Sequence, residues 1–137
     1  MLDATTTSTK GPDMLEGKRI LVAEDDKDVL EMYQDFFSLH KNTRNSVFSY
    51  THNVKTTTEA LENNEYDLVL LDLGLEDFIP PPGLAILKEY AKRIKAKIVV
   101  ISAYGEFKDE CLSYGAAQFL PKPIELSSII EAFQKTG

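Results

Sequence analysis

The chain has 137 residues, enough for one domain with a single core, and its 43% hydrophobic and 27% charged residues are ordinary for a folded protein. A formal net charge of −7 argues against direct nucleic-acid binding, which needs a basic stripe, and against a membrane-surface role, which needs clustered Lys and Arg. Apolar runs fall short of the roughly 20 residues of a membrane span, and the N-terminus lacks the basic-then-apolar plan of a signal peptide, so cytoplasmic residence without membrane insertion is expected.

Residues 1–17 hold Thr5-Thr6-Thr7-Ser8-Thr9 and Gly11-Pro12 with few large apolar groups, and read as a flexible tail or linker. Residues 18–137 read as one domain. Ile20-Leu21-Val22-Ala23 is a continuous apolar run ending in acids, as in a strand covered on both faces. Val29, Met32, Tyr33, Phe36 and Phe37 then recur at helical spacing and predict a helix from about Asp28 to His40. Ser46 to His52 is a second strand. Thr56 to Asn64 is a short helix capped by one of its leading threonines.

Asp67-Leu68-Val69-Leu70-Leu71-Asp72 is the clearest buried strand. A Pro-rich loop follows, and Leu84, Leu87, Ala91 and Ile94 mark a third helix. Lys97 to Ser102 is the fourth strand, Glu106 to Tyr114 the fourth helix, and Ala116 to Leu120 a short fifth strand. Cys111, the single cysteine, falls in the fourth helix and reads as a small buried hydrophobe. Leu126, Ile129, Ile130 and Phe133 place the last helix.

Five β–α units in strict alternation predict an α/β fold: a five-stranded parallel sheet with helices on both faces. In such folds the functional crevice lies at the carboxyl ends of the strands. The first strand ends in Glu24-Asp25-Asp26, the third in Asp72 and the fourth in Ser102, while Lys122-Pro123 follows the fifth. Carboxylates gathered there repel one another unless a cation compensates. A hard, oxygen-preferring ion such as Mg²⁺ is the natural one. Each of these residues alone would be a helix cap, a loop residue or a solvated charge. Four on separate strand ends point to an aspartate that attacks phosphorus, with a metal, a hydroxyl and an ammonium stabilising the phosphoryl oxygens.

The chain resembles the response-regulator receiver family of two-component systems, with its (βα)₅ flavodoxin-like fold, over about Lys18 to Lys135. The motifs that carry the resemblance are Ile20-Leu21-Val22-Ala23-Glu24-Asp25-Asp26, Tyr66-Asp67-Leu68-Val69-Leu70-Leu71-Asp72, Val100-Ile101-Ser102-Ala103 and Phe119-Leu120-Pro121-Lys122-Pro123. Ser102-Ala103-Tyr104-Gly105-Glu106 looks most like the single-domain sporulation regulators of that family.

The resemblance implies that Asp72 accepts a phosphoryl group from a histidine kinase or phosphotransfer domain, with Mg²⁺ or Mn²⁺ as cofactor. It implies metal ligation by Asp25, Asp72 and the Gly74 backbone oxygen, with Glu24 acting mainly through water. Ser102 and Lys122 would contact the phosphoryl group, and the bond preceding Pro123 would be cis. Ser102 and the aromatic Phe119 would form the switch, read out on the face of the fourth helix, fifth strand and fifth helix. Many receivers homodimerise through that same face. The implied role is a signalling switch and not an enzyme acting on a metabolite. The resemblance leaves open whether the chain is a stand-alone regulator or a receiver from a larger protein such as a hybrid kinase.

Two departures from the family pattern stand out. Glu76 occupies the position four residues after Asp72 where proline is usual. Gly83 comes eleven residues on, after Pro80-Pro81-Pro82, where a glycine at eight is usual, so the loop is longer and stiffer. Glu76 and Asp77 add negative charge beside the site. Tyr104 is the second departure: the resemblance implies that it and Gly74 flank the path of a hydrolytic water, so a bulky Tyr104 is expected to prolong the phosphorylated state.

Other readings fit less well. An aspartyl phosphatase needs a second Asp two residues after the first, where Gly74 stands. A nucleotide or flavin binder would need a Gly-rich phosphate loop that the chain lacks. A receiver-like module without phosphorylation would not need the full set of acids, hydroxyl and lysine.

Overall fold

Three apolar runs make the centre of the sheet because each is buried on both faces. A computed structural model describes residues 17–40, 43, 45–76 and 78–136; the tail read over 1–17 lies outside them except for Gly17. The strands are β1 (Arg19–Ala23), β2 (Val47–Thr51), β3 (Leu68–Asp72), β4 (Lys97–Ser102) and β5 (Gln118–Pro121). They form one parallel sheet in the order β2-β1-β3-β4-β5. The polar-flanked strands β2 and β5 take the edges, while β3 is buried along its whole length. This is the flavodoxin-like order, whose switch point falls between β1 and β3.

Strand alternation divides the core. Ile20, Val22, Leu68, Leu70, Val99 and Ile101 pack against α1 (Lys27–Leu39) and α5 (Leu126–Thr136). Leu21, Ala23, Val69, Leu71, Ile98 and Val100 face α2 (Val54–Asn63), α3 (Pro82–Tyr90) and α4 (Lys108–Tyr114). Phe37 anchors the α1 side, stacking on Phe48 at 4.5 Å between ring centroids. Cys111 is fully buried on the opposite side, as expected of a small hydrophobe.

Several boundaries differ from the sequence expectation. The cap of α2 is Asn53, not a threonine: its side chain accepts from the Thr56 N–H at 2.8 Å. This frees Thr57 for a buried hydroxyl pair with Thr51 at 2.8 Å. The third helix stops at Tyr90, and Ile94 packs on the core from the turn beyond it. The fourth helix begins as a short 3₁₀ turn, Gly105–Phe107, and ends at Gly115, whose φ of 116° is a left-handed conformation suited to glycine. The fifth strand begins at Gln118, two residues later than expected.

Candidate functional site

The site follows from where β1 and β3 stop. At the end of β1 the Glu24 N–H donates to the Thr51 carbonyl at 3.0 Å. Asp26 then turns away to cap α1, accepting from the Asp28 and Val29 N–H groups at 2.9 and 3.2 Å. Only two of the three consecutive acids therefore remain at the crevice. The side chains of Glu24, Asp25 and Asp72 bring carboxylate oxygens within 4.8 Å of one another. Glu24 is 2% exposed and Asp72 5%, whereas Asp25 is open to solvent.

Asp72 is held at both oxygens. Oδ1 accepts the Gly74 N–H at 3.0 Å and Oδ2 accepts Lys122 Nζ at 3.2 Å. Lys122 arrives from the end of β5, where its N–H donates to the Ser102 carbonyl at 2.9 Å. The Lys122–Pro123 peptide is cis, as the resemblance implied. Ser102 is buried at the end of β4, and its Oγ accepts the Tyr104 N–H at 2.8 Å. That bond leaves the hydroxyl proton for another partner.

Charge is unbalanced here. Burial, and then the neighbouring Asp72 carboxylate, push Glu24 up to about 8. Asp25 is raised for the same two reasons. Burial works to lower Lys122, but Asp72 and Glu24 overcome it and raise the ammonium. Among the described residues, Glu24 Oε1 is a buried side-chain oxygen with no hydrogen-bond partner; Lys122 Nζ lies 3.8 Å away. Native proteins rarely leave such an atom unpaired unless an ion or water serves it. An all-oxygen donor set with one orphaned carboxylate oxygen fits a hard divalent cation.

The remaining site residues surround this centre. A Cβ on Gly74 would lie 3.4 Å from Cε2 of Tyr104, so the tyrosine ring covers that glycine. Tyr104 meets Phe107 edge-on, with centroids 6.3 Å apart. Phe119 is half-buried on β5 and packs against the core beneath α2, α3 and α4. Glu76 Oε2 accepts the Val54 N–H at 2.8 Å, at the start of α2. Asp77 lies outside the described residues. Sequence reasoning missed both the Asp26 cap and the Glu76 contact. An Asp two residues before a helical run is a cap signal that was available; nothing local signals a contact 22 residues away.

Residues 20–134 match the family model for the response regulator receiver domain. The chain belongs to that family. This receiver domain is 28% identical over 124 residues to the chemotaxis protein CheY of Thermotoga maritima, covering 88% of this chain and 98% of that protein. It is also 28% identical over 97 residues to hybrid signal transduction histidine kinase B of Dictyostelium discoideum, covering 61% of this chain and only 5% of that protein. In fold it matches the crystal structure of Thermotoga maritima TrrA in complex with Mg²⁺–BeF, with a TM-score of 0.72 and 24% identity, covering 88% of this chain and 99% of that one. The domain is a two-component signalling receiver. None of its described helices is long and apolar enough to cross a membrane.

Proposed function

We propose that Asp72 is the phosphoryl acceptor of this receiver, in a reaction that requires Mg²⁺ or Mn²⁺ held by Asp25, Asp72, the Gly74 carbonyl and, mainly through water, Glu24. The observation that carries this reading is the orphaned Glu24 Oε1 within a triad of carboxylates that has one ammonium beside it. When bound, the cation neutralises the triad and so permits an anionic nucleophile to meet an anionic phosphoryl group.

The chain's own groups do the rest. An Asp72 oxygen forms the new O–P bond as the N–P bond of a donor phosphohistidine breaks, and the departing imidazole takes up a proton. The hydrogen bond from Gly74 orients the carboxylate. Lys122 transfers its hydrogen bond from Asp72 to a phosphoryl oxygen, and Ser102 supplies its hydroxyl proton to another. Ser102 moves with that bond, Phe119 turns inward on β5, and the α4–β5–α5 face presents the altered surface to an output partner. Autodephosphorylation by water at the same centre ends the signal. The donor is a histidine kinase or phosphotransfer domain, in keeping with the hybrid kinase among the relatives.

Mass spectrometry after treatment with acetyl phosphate and Mg²⁺ tests the assignment. The wild type gains one phosphoryl group and Asp72→Asn does not. An adduct undiminished in the variant overturns the reading.

A further inference from the structure

We propose that Glu76 is a positioning residue of the metal site, tying the lengthened loop after Asp72 to the first turn of α2 and so fixing the Gly74 carbonyl. The inference rests on the metal-site reading above.

The loop leaves β3 under three constraints. Leu73 and Leu75 are both fully buried and bracket Gly74, whose N–H is held by Asp72. Glu76 follows at once, and its carboxylate accepts the Val54 N–H at 2.8 Å. That N–H is one of the unpaired donors at the start of α2, so the carboxylate satisfies a backbone group and meets the positive end of the helix dipole. Asn53 satisfies the neighbouring donor at Thr56. Beyond Glu76 the chain rises into solvent, with Phe78 62% and Ile79 71% exposed. It is buried again at Pro81, and the Gly83 N–H then donates to the Leu73 carbonyl at 2.8 Å. Glu76 is thus the last anchor before the exposed residues 78–80, two residues from the carbonyl that would hold the cation.

The first turn of α2 is also tied to the other half of the site. Thr57 on α2 shares a hydroxyl bond with Thr51, whose carbonyl holds the Glu24 N–H. Through Glu76 and Thr57, α2 braces the ends of both β3 and β1. Coupling of this kind is reciprocal: ordering the metal site protects the Val54 amide, and losing the Glu76 bond weakens cation binding.

The test uses the full chain in Mg²⁺ titration calorimetry, with amide exchange at Val54 in metal-free protein. Glu76→Ala weakens Mg²⁺ binding by about three- to tenfold and speeds Val54 exchange by about tenfold. Glu76→Gln, which keeps the acceptor and removes the charge, restores binding to within about twofold of wild type. Equal weakening by Ala and Gln means that charge and not the tether acts, and overturns the inference while leaving the metal site standing. Wild-type protein that takes up no Mg²⁺ overturns the site reading and this inference with it. Thermal unfolding of each variant is followed in EDTA. Should Glu76→Ala be unfolded, Glu76→Ser carries the same comparison.

Discussion

Lys122 Nζ lies 3.2 Å from Oδ2 of Asp72, making an ion pair in which the carboxylate is buried and the ammonium is about one third exposed. The pair is unequal in what each partner loses if the other is removed. A lysine without Asp72 can reach water. An Asp72 carboxylate without Lys122 stays buried beside Glu24 and Asp25. Lys122→Met therefore destabilises the metal-free domain near neutral pH by about 1–3 kcal/mol, the cost of stranding a buried acceptor. Urea unfolding in EDTA measures this, and saturating Mg²⁺ recovers part of the loss.

The same crowding sets a pH dependence. Glu24 titrates at about 8 in the folded metal-free domain because of burial and Asp72, against an ordinary value near 4.5. The folded state thus binds more protons than the unfolded state between those values, and stability falls as pH rises through that window. Asp25, raised for the same reasons, acts in the same direction, while Lys122 stays charged throughout and moderates both. In EDTA the urea midpoint falls between pH 5.5 and 8.5. Mg²⁺ binding needs the ionised carboxylates and releases protons, so its stabilisation grows over the same range. A midpoint that rises with pH in EDTA contradicts the assignment to Glu24.

How much of this was legible in the chain depended on range. The buried runs of β1, β3 and β4 announce themselves because strands covered on both faces have no polar alternation to confuse them. The strand-end acids, Ser102 and Lys122 followed from topology, since parallel strands place their carboxyl ends on one edge. The α2 cap was misplaced because Asn53 and the threonines after it are all competent caps, and burial of the Thr51–Thr57 pair decides among them. The role of Glu76 could not be read at all: its partner is a backbone N–H on another element. The exit of Asp26 from the acidic cluster has the opposite cause, a purely local cap that a closer reading of residues 26–29 would have found.

Tyr104 stands over Gly74, with Cε2 at van der Waals distance from a Cβ built there. We propose that its ring narrows the approach of water to an acyl phosphate at Asp72. Tyr104→Ala opens that approach and shortens the phosphoryl half-life by about three- to tenfold, equivalent to about 0.7–1.4 kcal/mol in the barrier. The decay of radiolabelled acyl phosphate measures it. Tyr104 is only half-buried, so unfolding stability in EDTA changes by less than about 1 kcal/mol.

Gly83 closes the lengthened loop, and its position three residues later than the family pattern makes its role a test of how that loop is built. A Cβ there would lie 2.5 Å from the Leu73 Cα and 2.8 Å from the Asp72 and Leu73 carbonyl oxygens. All three are backbone atoms, so no side chain can swing aside to make room. The first turn of α3 must then lift from the end of β3, breaking the Gly83 N–H bond to Leu73. Gly83→Ala therefore costs about 1–3 kcal/mol, the range for forcing a methyl group into a packed interior, despite the usual gain in helix propensity on replacing glycine. Because Leu73 follows the proposed acceptor, the same lift disturbs Asp72, and labelling by acetyl phosphate slows along with the loss of stability. Ala at Gly105, where an added Cβ meets nothing within 4 Å, is the contrasting control and leaves the urea midpoint within about 0.5 kcal/mol of wild type.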